Sequence, residues 1–317
     1  MDRPEALARA RSARASLVSC RLCAFRCGVD RTQGPAGVCR TDARSRVFHE
    51  GVEWAGEEDL VPTYVISLSG CNMSCGFCLT GALSQNGAAG RWLDMEGIAS
   101  RIRSVPGLRS VTLLGGEPTI HLDGALEIAA RVPRSLTLVW KTNATASDEG
   151  MRLLSGIPDV VLADFKFGND DCAKALGGIP HYVDCVVRNL EWAAKTGRLI
   201  VRHLLMPGHV DCCLVPVAER LSRDFPGVPF SLMTGYLPTW RAAHTGTNSS
   251  GECDRAAEVV RSLGLRTMPW TMRPGKSPLP TADDEIWIDR NGRLCMDSAS
   301  ADLLHLLKRM DPGVVVR

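Results

Sequence analysis

Net charge is nearly absent from this chain. Its 37 Lys and Arg stand against 35 Asp and Glu, +2 in all over 317 residues, with both signs mixed throughout. With aromatics at only 5% as well, nothing in the composition makes an electrostatic case for nucleic acid, and no polyanionic partner is expected. No segment approaches the ~18 consecutive apolar residues of a membrane helix. Residues 1–20 carry Arg at 3, 9, 11 and 14 and hold no apolar stretch long enough for a secretory signal. The expectation is a cytoplasmic protein with no membrane partner. Familiar hydrolase signatures are missing too: neither H-E-x-x-H nor G-x-S-x-G occurs. Gly275-Lys276-Ser277 looks like the end of a phosphate-binding loop, but Trp270 stands where that loop needs its first glycine.

Cysteine, by contrast, is plentiful. Thirteen residues, an odd number, in a reducing compartment point to metal ligands and small buried hydrophobes rather than to a disulfide framework. Cys71, Cys75 and Cys78 follow the apolar run 63–68 at C-x3-C-x2-C spacing. Three thiolates on one short loop suit an iron–sulfur cluster with one iron left open, since such clusters normally take four Cys ligands. Zinc, as in zinc knuckles, or unliganded thiols are the alternatives on the triplet alone. A second set, Cys20, Cys23, Cys27 and Cys39, has C-x2-C-x3-C-x11-C spacing in a glycine-punctuated segment. Four soft ligands satisfy either tetrahedral zinc or a fully ligated cluster, with reduced free thiols as the alternative, and a segment with so few core residues needs a metal to fold. The remaining six (Cys172, Cys185, Cys212, Cys213, Cys253, Cys295) are scattered or vicinal. Cys212-Cys213 open a predicted helix, where a thiol pKa would fall, and are read as structural.

Between these features short β-branched runs alternate with amphipathic stretches. Strands are predicted at 64–68, 110–114, 136–140, 160–164, 199–205 and 228–233, and helices at 94–103, 123–131, 147–154, 181–195, 213–223 and 253–263. Six βα units imply a parallel sheet with helical crossovers. Too few for eight strands, they predict an α/β fold with a partial (βα)6 TIM-type barrel, ligands binding at the C-terminal strand ends. The expected organisation is an N-terminal helix and Cys-rich segment (1–60), the partial barrel (61–265), and a C-terminal extension (266–317) with a hairpin around Asn291-Gly292 and a helix at 300–310.

Polar residues gather at the predicted strand ends. Strand two runs into Gly115-Gly116-Glu117-Pro118, where two glycines allow close backbone approach and a carboxylate can meet an ammonium group. An ordinary βα loop is the plainer reading. Strand three ends in Trp140-Lys141-Thr142-Asn143, and strand four in Asp164 and Lys166, two apart and so on one face. A rim ion pair is the alternative there. Strand five supplies Arg202 and His203; a single strand-end His is often only a satisfied structural residue, but its position beside the other polar ends makes it a cofactor-contact candidate.

In order and spacing these residues resemble radical S-adenosylmethionine (SAM) enzymes, specifically the branch similar to pyruvate formate-lyase activating enzyme, over about residues 20–265. The resemblance implies that Cys71, Cys75 and Cys78 hold a 4Fe-4S cluster whose open iron is chelated by SAM. It implies further that Gly115–Pro118 meet the SAM amino group, that Asp164 and Lys166 hold its carboxylate, and that Asn143 lies near the ribose. An electron from a flavodoxin- or ferredoxin-like donor then cleaves SAM to a 5′-deoxyadenosyl radical, which takes a hydrogen atom from a small molecule or peptide. A glycyl-radical-enzyme activase and a non-catalytic zinc or iron–sulfur adaptor are the alternatives; the strand-end residues argue against the adaptor. Two departures stand out. Leu79-Thr80 replaces the expected Gln-Asn after the last cysteine, and Lys141 stands where an Asn is expected. Tyr236 and Arg202 are candidate substrate contacts, and the C-terminal extension is a candidate cap for the barrel mouth.

Overall fold

The structure, a computed structural model, describes residues 3–242, 245–272, 286–288, 294–296 and 315–316. Helix α1 (Glu5–Ala15) is followed by strands β1 (Arg46–Glu53), β2 (Ala55–Glu57) and β3 (Thr63–Leu68), the short helix α2 (Gly81–Ser84) and β4 (Arg91–Trp92). The βα alternation continues with α3 (Met95–Ser104), β5 (Ser110–Gly115), α4 (Leu122–Ala129), β6 (Thr137–Thr142), α5 (Asp148–Leu154) and β7 (Val160–Asp164). Helices α6 (Asp170–Gly177) and α7 (Tyr182–Thr196), β8 (Arg198–Leu204), α8 (Val215–Asp224), β9 (Phe230–Met233), α9 (Ser250–Ser262) and β10 (Trp270–Met272) complete it.

The main sheet has the order β4-β1-β3-β5-β6-β7-β8-β9. Its six strands from β3 to β9 are parallel, as the alternation requires. Register carries Leu68, Gly115, Thr142, Asp164, Leu204 and Met233 to the same end of the sheet. The fold is thus α/β with a partial TIM-type barrel. Every residue of β3 is buried, as befits parallel strands covered on both faces. Residue parity divides the strands. Leu138, Trp140, Val161, Ala163 and Val201 pack against helices, whereas Val139, Val160, Leu162 and Ile200 join Leu60 and Met268 in an apolar plug on the inner face. Helix starts are set by side-chain caps: Asp94 on Gly97 N, Ser147 on Gly150 N, Asn169 on Cys172 N, and a reciprocal Ser249/Glu252 box on α9.

The structure adds elements to the sequence reading. β1 adds an antiparallel edge to β3, pairing Val52 with Tyr64 and Glu53 with Thr63; α6 is a helix of its own. Residues 1–60 contact the barrel. Arg3, buried, binds Asp159 through two bonds of 2.6 and 3.1 Å, α1 buries Ala6, Ala10 and Ala13, and Leu22 O and Ala24 N bond Ser147 N and Thr145 O. Likewise residues 266–272 join the core, Phe230 N bonding Arg266 O and β10 pairing with β2. In the extension β11 (Ile286–Ile288) and β12 (Leu294–Met296) pair antiparallel, as a hairpin requires, and β13 (Val315–Val316) lies parallel to β12. The turn at Asn291-Gly292 and the helix expected at 300–310 lie outside the described residues. Among the described residues no helix is long and apolar enough to cross a membrane.

Candidate functional site

At the C-terminal ends of the parallel strands lies a cavity of about 300 Å³. The loop after β3 brings Cys71, Cys75 and Cys78 to its wall. Cys71 Sγ accepts from Met73 N at 3.4 Å, and Cys78 Sγ lies 3.2 Å from the Ser84 hydroxyl. Burial pushes the Cys75 thiol up to about 12, although Lys166 draws it down, and burial also raises Cys71 well above the ordinary thiol value. Thiols so buried become thiolates when a metal takes the proton's place. The donor set, with N–H and O–H groups aimed at its sulfurs, fits a cluster.

Gly115 and Gly116 follow β5 along the same wall. Gly116 N donates to Leu68 O at 2.8 Å and Glu117 N to Gly70 O at 3.0 Å, so this turn is bonded to the residue before Cys71. The Glu117 carboxylate, buried, is largely committed to the protein. Oε1 accepts from Thr119 N, the Thr119 hydroxyl and the Thr142 hydroxyl (3.0, 2.5 and 2.8 Å), and Oε2 from Asn143 N at 2.8 Å. Burial keeps its pKa raised despite these bonds. Asn143 lines the cavity, its amide nitrogen donating to Asn72 Oδ1 at 2.8 Å and its Oδ1 accepting from the Thr145 hydroxyl at 2.6 Å. These bonds fix the loop after β6 against the cysteine loop.

Across the cavity Lys166 Nζ pairs with Asp164 Oδ2 at 2.7 Å. Burial raises the Asp164 pKa, but Lys166, Arg202 and Lys141 outweigh it and hold the carboxylate below its ordinary value. Its other oxygen, Oδ1, is buried with no partner among the described residues. A buried acceptor without a donor calls for a ligand or water that supplies one.

Three expectations are not met. Pro118 does not line the cavity; it opens the short turn 118–121 and is buried. His203 is not brought to the site either. On β8 Arg202 and Leu204 face the cavity, so strand parity turns His203 to the helix-covered side, where Nδ1 donates to Phe165 O at 2.7 Å. Burial lowers its pKa to about 4, leaving it neutral. Tyr236 also stays in the core, packed on Phe77 with its hydroxyl 3.0 Å from that of Thr245. The four N-terminal cysteines, Cys20, Cys23, Cys27 and Cys39, do converge, lining one small cavity together. Burial pushes Cys23 up to about 12, with Cys39 and Cys20 adding to the rise.

Sequence reasoning missed Glu57. From β2 it meets Arg202 through three bonds of 2.6 to 2.8 Å and accepts from the Ser231 hydroxyl at 3.0 Å. Arg202 is thereby ion-paired, as Lys166 is with Asp164. Lys141, on the same inner face, has no ion-pair partner among the described residues. Burial, reinforced by Arg202, lowers its pKa to about 8. Arg202→Met is expected to destabilise the fold by about 3–5 kcal/mol, because it leaves Glu57 buried and unpaired. Adding Glu57→Leu should recover most of that loss. Urea midpoints of the two single variants and the double variant check this; a single variant matching wild type would refute it.

Comparison with known proteins agrees with this geometry. The sequence model of the Radical SAM superfamily matches residues 65–221. The uncharacterized protein MJ0674 of Methanocaldococcus jannaschii is 32% identical over 233 residues, 71% of this chain and 68% of that protein. A 7-carboxy-7-deazaguanine synthase of Methanospirillum hungatei is 35% identical over 88 residues, 26% of this chain and 35% of that protein. SuiB of Streptococcus suis, in a structure bound to the precursor peptide SuiA, superposes with a TM-score of 0.51 at 16% identity; the match covers 63% of this chain and 46% of SuiB, so the chain spans less than half of that protein. With the three-cysteine loop, the parallel partial barrel and the family match on the same residues, the chain belongs to the radical SAM superfamily.

Proposed function

We propose that the chain binds SAM in the cavity above β3–β9 and acts on a small molecule or peptide that carries an anionic group, within the branch similar to pyruvate formate-lyase activating enzyme. One observation carries this reading: three thiols, a double-glycine turn and the partnerless Oδ1 of Asp164 beside Lys166 face a single cavity. A 4Fe-4S cluster on Cys71, Cys75 and Cys78 supplies, when bound, the electron that splits SAM and yields the hydrogen-abstracting 5′-deoxyadenosyl radical. The protein's part is to bind, orient and exclude water. Asp164 Oδ1 is an acceptor for a donor group on SAM, and Lys166 is a cation for its carboxylate. Main-chain groups at Gly115-Gly116 are open to close approach, and Glu117 holds the Asn143 loop in place. Met73, Phe77, Leu79, Leu204 and Met233 form apolar walls that keep water from a reactive site. Cys20, Cys23, Cys27 and Cys39 hold zinc or an auxiliary cluster, and the electron donor is of flavodoxin or ferredoxin type.

Lys141 supports the anionic substrate, being a cavity cation without an ion-pair partner among the described residues. Lys141→Met is expected to raise the half-saturating substrate concentration about 10-fold or more, the scale of one lost charge-assisted hydrogen bond. The Lys141 charge is present below about pH 8 and is lost as pH rises through that value, so wild-type affinity should fall above pH 8 and the variant's should not. A flat wild-type profile would remove Lys141 from substrate binding. The reading as a whole is tested by purifying the protein without air, reconstituting it with iron and sulfide, reducing it and adding SAM. 5′-Deoxyadenosine is the expected product; a fully loaded protein that makes none overturns it.

A further inference from the structure

Behind the Asp164–Lys166 loop, outside the cavity, four ligand atoms converge. Cys172, His209, Cys212 and Cys213 place one sulfur or ring nitrogen each so that all lie within 4.8 Å of one another. His209 Nδ1 is 3.2 Å from Cys212 Sγ, 3.7 Å from Cys213 Sγ and 3.8 Å from Cys172 Sγ, and the two vicinal sulfurs are 4.0 Å apart. Tetrahedral zinc bound at its usual lengths, about 2.3 Å to sulfur and about 2.0–2.1 Å to nitrogen, has edges of about 3.8 Å between sulfurs and about 3.5 Å between sulfur and nitrogen. We propose that Cys172, His209, Cys212 and Cys213 form a closed structural zinc site of Cys3His type that clamps the loop after β7 to the turn after β8.

The backbone is shaped for this set. Residues Val210–Leu214 form a π turn, in which Leu214 N as well as Cys213 N reaches His209 O (3.2 and 3.1 Å). The wider turn swings both vicinal sulfurs over the same imidazole; π turns recur at functional sites. Cys172 is the third residue of α6, its N–H capped by Asn169 Oδ1 at 2.8 Å. Asn169 also donates to Cys172 Sγ at 3.4 Å and to Cys212 O at 2.7 Å, the kind of outer contact that orients metal ligands. Gly168 is needed for the approach, since a Cβ there would lie 2.5 Å from Cys213 O. Hydrogen bonding alone does not account for the cluster. A neutral imidazole nitrogen has one lone pair, so three thiols around Nδ1 cannot all donate to it. One divalent ion satisfies all four groups. With four protein ligands it has no open position, which assigns it to structure rather than catalysis. The clamped loop carries Lys166, so the ion would steady the wall of the cavity from behind.

The test is zinc content of the full chain purified without air, with zinc-edge X-ray absorption, and needs no SAM cleavage. Cys20→Ala/Cys23→Ala disables the N-terminal set and is expected to keep one zinc per chain, bound by three sulfurs and one nitrogen. Cys212→Ala and His209→Ala should each lose that zinc. His209→Cys should retain it in an all-sulfur shell, which guards against simple misfolding as the cause. Zinc content indifferent to both Cys212→Ala and His209→Ala, or a wild-type protein whose zinc shell holds no nitrogen, would overturn the proposal.

Discussion

Changing Cys71, Cys75 and Cys78 together to alanine is expected to reduce 5′-deoxyadenosine formation to the assay floor while the protein stays folded. Both halves follow from the structure. Cys75 is buried and Cys71 and Cys78 pack against the same core, so each substitution deletes one sulfur, a change smaller than Leu→Ala and costing on the order of 1 kcal/mol. About 3 kcal/mol in total is tolerable against a domain stability of about 5–15 kcal/mol. With no thiolates on the loop, no cysteine remains in the cavity wall among the described residues to hold a cluster, whereas the cysteines at 20, 23, 27 and 39 and those around His209 are untouched. Iron should fall by one cluster's worth and zinc should persist. Deoxyadenosine from the triple variant at the wild-type rate would move the chemistry to another centre.

Much of this site was legible because parallel strands put their ends together. A β-branched run followed by a polar cluster is a local pattern, and six of them in series fix which ends meet. That is why strand order, together with the resemblance, could group Cys71–Cys78, Gly115–Glu117, Asn143, Asp164 and Lys166, and these residues line one cavity. What failed depended on parity or on pairing across the chain. One residue of offset along β8 separates Arg202, in the cavity, from His203, behind it. Glu57 carried no sequence signal, because its reach to Arg202 rests on β2, a three-residue strand paired with β10 more than two hundred positions away. β1 was hidden because only Val47 along it is fully buried and Gly51 interrupts it. The His209 cluster was invisible for a third reason. Its ligands are split between two βα units, and only the π turn makes a vicinal pair converge.

The close packing of the two loops makes Gly116 a position where even a methyl group has no room. An alanine there would place Cβ 1.8 Å from Gly70 O and 2.8 Å from Ser84 O, against a real limit near 3.0 Å. Both obstacles are backbone, and Gly70 is bonded to Glu117 N, so no side-chain rotation relieves the clash. Either the cysteine loop or the turn after β5 must move by about 1 Å. That shift passes to Cys71 on one side, and on the other to Glu117 with its bonds to Thr142 and Asn143. A displacement of this size between reacting groups costs about 10²-fold in rate. Gly116→Ala is therefore expected to lower SAM cleavage about 100-fold while zinc content holds. Gly251→Ala, an open position in α9 with nothing within 4 Å, should leave cleavage unchanged. Equal rates in the two variants would mean that the turn and the cysteine loop move independently, and the cavity would then not be the pre-set cradle that its hydrogen bonds describe.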